Sequence, residues 1–492
     1  MSTGSAGVRP FPQVAWDRWL ESLTRAGWSA RSASRRPRDE DTGARNTGTP
    51  GTGTPGDAER VAVDQALGRV SAVPVAARWP SPRTDCAAMD GIAVRAADLA
   101  AADAGRGTRD AAAAGPAVRL PSGTFEWIDT GDPMPSGMDI VVVRERLLPQ
   151  ADGSVIIAPA EEAADRGARG HRAPGHGLPR YGLPRHGLPR HGARGRNVRS
   201  AGEDFAAGEI LVPAGRRLRP GDLAAVAAGG HATVTVARQP VVAIIPTGDE
   251  IRPVGAVPRF GDIIDTNSLM LAARCRQLGA VPVVGAIVPD DPDALAAELR
   301  RAASRADLVL VIAGSSRGRG DHAAAVLDQV GGIAVAGVAV RPGHPALLGH
   351  AKRPELSRRP EAGRDPVEGR ADYSADGIAP VIGLPGYPLA AAVIFELFAL
   401  PMLGALTGQV LRRDRIRARL DRDWSSPAGA EDWVLVTLAP DGTGGIPLAA
   451  PARRGAGSIS QLARADAWWP IPAGEGTFTA GTEIEILPIP GG

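Results

Sequence analysis

Between residues 239 and 405 the chain alternates short, mostly apolar runs with longer segments whose apolar residues recur every three or four positions. The runs at 241–245, 281–287, 308–312, 333–340 and 381–384 have the length and β-branched content of buried strands. Residues 268–278, 292–304, 322–330 and 388–403 are predicted helices. In the second of these, Leu295, Leu299 and Ala302 fall at i, i+4 and i+7 and form one apolar face. Strand–helix alternation of this kind implies a mostly parallel sheet covered by helices. Residues 351–377 break the pattern with charge, Pro and Gly, and are expected to form a surface loop within an α/β domain spanning 239–410.

The flanking regions carry a different pattern. Apolar runs at 140–143 and 155–157, separated by Gly and Pro, predict an inserted β domain over 78–198. Runs at 433–438 and 483–487 predict a C-terminal β domain over 411–492. At the N-terminus, Phe11, Val14, Trp16, Trp19, Leu20 and Leu23 make a helical stripe. Residues 31–58 hold no large apolar side chain and read as a disordered linker. A second helix is expected from 60 to 70, through Ala62, Val63, Ala66 and Leu67. Residues 1–77 form an N-terminal helical and linker region, continued by the β-rich return at 199–238. The fold class is therefore α/β plus β, multidomain.

A five-residue repeat interrupts the β domain: His176-Gly-Leu-Pro-Arg180, Tyr181-Gly-Leu-Pro-Arg185, His186-Gly-Leu-Pro-Arg190. Gly and Pro in every repeat cannot sustain helix or sheet, so 165–196 is expected to be a basic loop. His171, His176, His186 and His191 lie in it, but a flexible His tract is weakly preorganised for metal.

Composition narrows the function classes. Lys plus Arg is 56 against 54 Asp plus Glu, a formal charge of only +2, so no nucleic-acid partner is expected. Cys86 and Cys275 are too few for a disulfide framework and fit a cytoplasmic protein. No apolar run approaches the ~20 residues of a membrane span, and the N-terminus lacks a secretion-signal pattern, so no membrane partner is expected.

Three polar clusters fall where strands of the parallel sheet end, the position at which such sheets bind ligands. Thr247-Gly248-Asp249-Glu250 follows the first strand, Gly314-Ser315-Ser316-Arg317-Gly318-Arg319-Gly320-Asp321 the third, and Pro385-Gly386-Tyr387-Pro388 the last. The glycines of the second let the backbone approach a ligand, and the helix beginning near Asp321 points its N–H groups there, which favours an anion. From that segment alone, a tight turn with a helix cap is the favoured reading. Glu250, Asp290 and Asp321 all sit at sheet ends. Beside a phosphate they would repel it unless a cation lies between, and Mg2+ prefers such oxygen donors. Asp290 and Asp321 also suit helix caps. Arg341-Pro342-Gly343-His344 follows the fourth strand and offers either a cationic fork for an oxyanion or a plain surface turn. Asp90 and Thr130 lie in turns whose local sequence is ordinary.

Taken in order, these blocks resemble the molybdopterin molybdenumtransferase family (MoeA and the E domain of gephyrin). The resemblance runs from about residue 60 to 492, through Asp85-Cys86-Ala87-Ala88-Met89-Asp90-Gly91, Thr130-Gly131-Asp132-Pro133-Met134-Pro135, Asn197-Val198-Arg199 with Gly202-Glu203-Asp204, Thr247-Gly248-Asp249-Glu250 and Asp265-Thr266-Asn267-Ser268. It implies that the α/β domain has the molybdopterin-binding fold. It also implies Mg2+-dependent insertion of molybdate into adenylated molybdopterin, with release of AMP. On that resemblance Asp321, Asp290, Glu250, Asp90 and Thr130 would be catalytic, and Asp290, Asp321 and Glu250 would hold the metal. Gly314, Ser315, Ser316, Gly318, Arg341, His344, Arg199, Asp204, Pro385 and Gly386 would bind substrate. Family members are homodimers whose site lies between the α/β domain of one subunit and the β domain of the other. Molybdoenzymes that accept the finished cofactor are further implied partners. The chain departs from the family where Lys-Pro-Gly-Lys becomes Arg341-Pro342-Gly343-His344 and where Leu-Pro-Gly-Asn-Pro becomes Leu384-Pro385-Gly386-Tyr387-Pro388, as in a divergent branch. A catalytically weak paralogue that binds molybdopterin or finished cofactor and delivers it to a partner enzyme is the alternative expectation.

Overall fold

The computed structural model describes residues 9–28, 58–104, 118–158, 195–313, 322–353, 377–409, 411, 414–442, 445–455 and 459–489. Its centre is a six-stranded sheet in the order Val281–Val284, Val241–Pro246, Leu308–Ala313, Ile378–Pro385, Leu347–Lys352, Gly331–Ala336. The first four strands are parallel. The last two run antiparallel to their neighbours. Val242, Ile244, Leu308, Leu310, Val381 and Ile382 are fully buried, which is why the inner strands read as continuous apolar runs.

Helices cover both faces. Pro292–Ala303 and Ala323–Val330 pack on one. On the other lie Thr266–Gln277, Pro388–Ile394 and Leu400–Thr407. Arg274 and Glu396 form a largely buried ion pair across that face, Nε to Oε1 at 2.9 Å. The stretch Pro388–Thr407 is 20 residues long and apolar enough by composition to cross a bilayer, contrary to the expectation that no run approaches that length. It is a core element here: Ile394, Leu397, Phe398 and Met402 are fully buried. A π-helical stretch, Phe395–Ala399, lies just before Pro401, whose ring cannot fit a regular helix interior.

Three local expectations change. Residues 333–340 are not one strand. Gly331–Ala336 ends in the α/β sheet, and Val340–Arg341 pairs in parallel with Glu431 and Asp432 of the C-terminal sheet. Residues 351 and 352 belong to the strand Leu347–Lys352 rather than to a loop, while 354–376 lie outside the described residues. Gly349 hides that strand from the apolar pattern. A Cβ there would stand 2.3 Å from the Gly332 carbonyl oxygen, so the paired backbones require glycine. Third, residues 60–70 are not a helix. Ala58–Ala62 is a strand paired antiparallel with Thr233–Ala237, followed by a 3-10 turn at Val63–Gln65.

The N-terminal helix Pro12–Arg25 is present, but it packs in the α/β core. Trp16, Trp19 and Leu23 are buried there, the two indoles meet edge to face at 5.7 Å, and Trp19 Nε1 donates to the Gly349 carbonyl at 2.8 Å. Most of the linker expected at 31–58 lies outside the described residues; Ala58 itself begins a strand.

The β domain contains two three-stranded antiparallel sheets. Gly91–Val94 is flanked by Phe125–Ile128 and Ile140–Val143, and Val155–Ile157 by Val118–Leu120 and Leu147–Pro149. Their apolar sides share one core. Of the expected basic loop, residues 165–194 lie outside the described residues. The C-terminal domain supplies five strands of a six-stranded sheet, Val340–Arg341 being the sixth, and its Trp433 and Trp468 reach into the α/β core.

Candidate active site

The strand Val241–Pro246 ends in Thr247, whose side chain and N–H both donate to the Ile312 carbonyl, at 2.8 and 3.1 Å. Gly248 then donates its N–H to the Val288 carbonyl at 3.0 Å. Its φ of +132° is open to glycine, and a Cβ would stand 2.8 Å from Glu250 Oε2. The glycine thus leaves room for the Glu250 carboxylate beside the turn. Asp249 Oδ1 accepts the Asp290 N–H at 3.2 Å and ties this turn to the one after Val281–Val284.

Asp290 itself is exposed, and its carboxylate makes no bond or ion pair among the described residues. The cap of Pro292–Ala303 is Asp291, which accepts the Asp293 N–H at 3.1 Å. The structure therefore separates two roles that adjacent aspartates offer in sequence: Asp291 closes the helix, and Asp290 points a spare carboxylate toward solvent beside Asp249. Glu250 is likewise exposed and without a cationic partner among the described residues.

Two more of the expected site turns are defined. Asn267, in the first turn of Thr266–Gln277, donates its amide to the Gly386 carbonyl at 2.7 Å. That bond holds the Pro385-Gly386-Tyr387 corner, because Tyr387 occupies the cap position of Pro388–Ile394 and makes no side-chain cap bond. Gly386 is exposed and Pro385 is buried. At Arg341-Pro342-Gly343-His344 the chain passes close to that helix: Gly343 has φ +122°, and a Cβ there would meet Ile394 Cδ1 at 2.9 Å. Arg341 and His344 are exposed. Gly314, Ser315, Ser316, Gly318 and Asp321 lie outside the described residues.

In the β domain a second group forms. Asp90 Oδ1 accepts two bonds from Thr130, from its N–H at 2.7 Å and its hydroxyl at 2.6 Å. The hydroxyl bond, then the backbone bond, hold the Asp90 carboxyl below the usual carboxylate range. Gly91 follows because a Cβ there would overlap the Val142 carbonyl oxygen. Arg199 pairs in register with Cys86, and its Nε lies 3.4 Å from Glu203. Asp204 is exposed, with its N–H donated to the Ser81 carbonyl. The structure brings Asp90 to Thr130, and Asp249 to Asp290. These two groups are held by separate sets of bonds.

Sequence reasoning quoted three residues that shape these turns but gave them no role: Asp249 as the tie between loops, Asn267 as the brace of Gly386, and Asn197. The last adopts φ +55° and donates its amide to the Val141 carbonyl at 2.9 Å. An Asn at a turn between strands was the available signal for it.

Family models match nearly the whole of this architecture. Residues 41–230 match the MoeA N-terminal region (domain I and II), 243–405 a probable molybdopterin binding domain, and 417–489 the MoeA C-terminal region (domain IV). This chain belongs to the MoeA family. Among its relatives, the molybdopterin molybdenumtransferase of a Nostoc species is 28% identical, with 88% of this chain and 89% of the relative covered. The enzyme of that name from Bacillus subtilis is also 28% identical, over 88% and 90%. A MoeA protein of molybdopterin biosynthesis from Pyrococcus horikosii superposes with a TM-score of 0.66 at 25% identity, covering 98% of this chain and 99% of the other. Within the MoeA architecture the Asp249–Asp290 group belongs to the molybdopterin binding domain, and the Asp90–Thr130 group to the N-terminal region.

Proposed function

We propose that this protein is a molybdopterin molybdenumtransferase that inserts molybdate into adenylated molybdopterin with release of AMP, as a Mg2+-dependent step of molybdenum cofactor biosynthesis. The observation that carries the reading is the pair of exposed carboxylates, Glu250 and Asp290, whose backbones are held by the Ile263 N–H and the Asp249 carboxylate at the ligand-binding end of the parallel sheet. Membership of the MoeA family supplies the chemistry to which that arrangement answers.

The donor set fits Mg2+. Among the described residues no group of three metal-binding side chains forms. Two oxygen donors nevertheless suit an ion that keeps several waters and takes its remaining ligands from substrate phosphates. Glu250 and Asp290 would hold it, with Asp321 as the third carboxylate. When bound, the ion would offset charge on the phosphoanhydride oxygens. Gly314, Ser315, Ser316 and Gly318, ahead of the helix Ala323–Val330, would receive the substrate phosphate on backbone N–H groups. Arg341 would present its planar fork to molybdate, with His344 adding a donor beside it. Pro385 and Gly386 would form the opposite wall, braced by Asn267.

In a homodimer the partner chain's β domain would close the same cleft with Asp90, Thr130, Arg199 and Asp204. Thr130 would then orient Asp90 as an ionised acceptor. Cys86 and Cys275 are both buried free thiols, which fits a cytoplasmic protein. The product would pass to molybdoenzymes.

The test is to incubate the purified protein with adenylated molybdopterin, Mg2+ and molybdate, and to measure AMP with and without molybdate. Molybdate-dependent release is expected. Tight binding of the adenylate with no release in any condition would replace the transferase with a carrier that delivers cofactor.

A further inference from the structure

The β domain contains a cavity of about 150 Å3. Leu99, Val118, Ile140 and Ile157, all buried, form its apolar wall, and Arg146 and Arg196 are its charged lining. Arg146 is fixed: its Nε and Nη2 both donate to the Ala158 carbonyl, at 3.0 and 2.9 Å. Arg196 is fixed through its backbone, which accepts the Val141 N–H at 3.0 Å, and by the neighbouring Asn197 bond to the Val141 carbonyl. Neither guanidinium has an ion pair with a described carboxylate. Burial first, and then the facing charge of Arg196, push the Arg146 guanidinium below its ordinary pKa. Two cations therefore face one apolar space without an ion-pair partner among the described residues.

We infer that this cavity binds a small organic monocarboxylate with a compact apolar body, its carboxylate between Arg146 and Arg196 and its body against Leu99, Val118, Ile140 and Ile157. Guanidinium forks match the planar carboxylate. The apolar wall disfavours an inorganic oxyanion, whose remaining oxygens would lose water without gaining donors. Size sets the upper limit. Drug-sized ligands occupy roughly 300–1,000 Å3, whereas a dry engineered cavity of about this volume takes benzene. The guest is therefore a single ring or a short branched chain.

Benzoate is the probe, titrated calorimetrically into the full-length protein beside benzyl alcohol and sulfate. One saturable benzoate site per chain is expected, with no comparable binding of the alcohol or of sulfate. Arg196→Gln, which removes no observed hydrogen bond, should weaken benzoate about tenfold or more, and Arg196→Lys should restore part of it. AMP release should be unchanged in both variants, so failure of this site leaves the transferase reading standing. Absence of saturable binding, equal binding of benzyl alcohol or of sulfate, or undiminished affinity in Arg196→Gln would each overturn the inference.

Discussion

The two acidic turns of this molecule are built in opposite ways. At Thr247–Glu250 the backbone is the fixed part: the Thr247 and Gly248 N–H groups donate to the Ile312 and Val288 carbonyls and the Asp290 N–H to the Asp249 carboxylate, while the Glu250 and Asp290 carboxylates stay exposed and without a partner among the described residues. At Asp90 the carboxylate is itself the fixed group, already holding the Thr130 N–H and hydroxyl. A carboxylate left unsatisfied beside another is suited to receive a cation. One that is satisfied by a neutral donor is suited to hold a turn, or to present a defined ionised acceptor. The first arrangement separates position from chemistry, and the second combines them.

The widest expected effect follows from that separation. Glu250→Gln and Asp290→Asn should each lower molybdate-dependent AMP release about a hundredfold, the scale of losing one electrostatic contact made in the transition state. Stability should stay within about 0.5 kcal/mol, as for exposed side chains without partners. A parallel fall in melting temperature and activity would break the comparison, because these carboxylates would then be structural. Gly248→Ala should come next. Its φ and the contact with Glu250 would strain the turn by about 1–2 kcal/mol and reduce turnover about tenfold by displacing Glu250. Denaturant unfolding paired with the AMP assay reads both.

Asp291→Ala sharpens the contrast between neighbours. It should cost about 1 kcal/mol as a lost helix cap with turnover unchanged, the reverse of Asp290→Asn. The smallest effect belongs to the β domain. Thr130→Ala removes the larger of the two bonds holding the Asp90 carboxyl down, so the Asp90 titration followed by NMR should move up toward the ordinary range, and Thr130→Ser should return it. A depressed folded-state value contributes stability that is present above the unfolded carboxylate range and is lost as pH falls through the lowered value. Asp90 is fully exposed, so the loss should be confined to its own turn. An Asp90 titration that ignores Thr130 would remove the idea that this carboxylate is held as an acceptor.

Much of the α/β domain could be read directly. Strands buried on both faces leave unbroken apolar runs, as in Val241–Pro246 and Leu308–Ala313. Two strands were not legible in that way. Leu347–Lys352 carries Gly349 and His350 where a run would be apolar, since backbone approach and not side-chain burial sets that position. Ala58–Ala62 precedes residues whose spacing suits a helix, and only its pairing with Thr233–Ala237 makes it a strand. In the site, the order of polar turns after strands was legible because glycine and acidic residues punctuate apolar runs locally. Asp249 and Asn267 were not singled out, because each acts on a loop reached only after folding, Asp249 on the N–H of Asp290 and Asn267 on the carbonyl of Gly386.

The sequence by itself therefore determined the strand–helix alternation, the inserted and terminal β regions, and the family to which the chain belongs. All of these rest on periodicity and on residue order along a short stretch. Tertiary structure alone decided that Asp291 caps while Asp290 stays exposed, that the Trp16–Trp19 helix joins the α/β core, and that two arginines face an apolar cavity. Each of those outcomes depends on which distant group satisfies a buried donor or covers an apolar face. Local spacing carries no record of that choice.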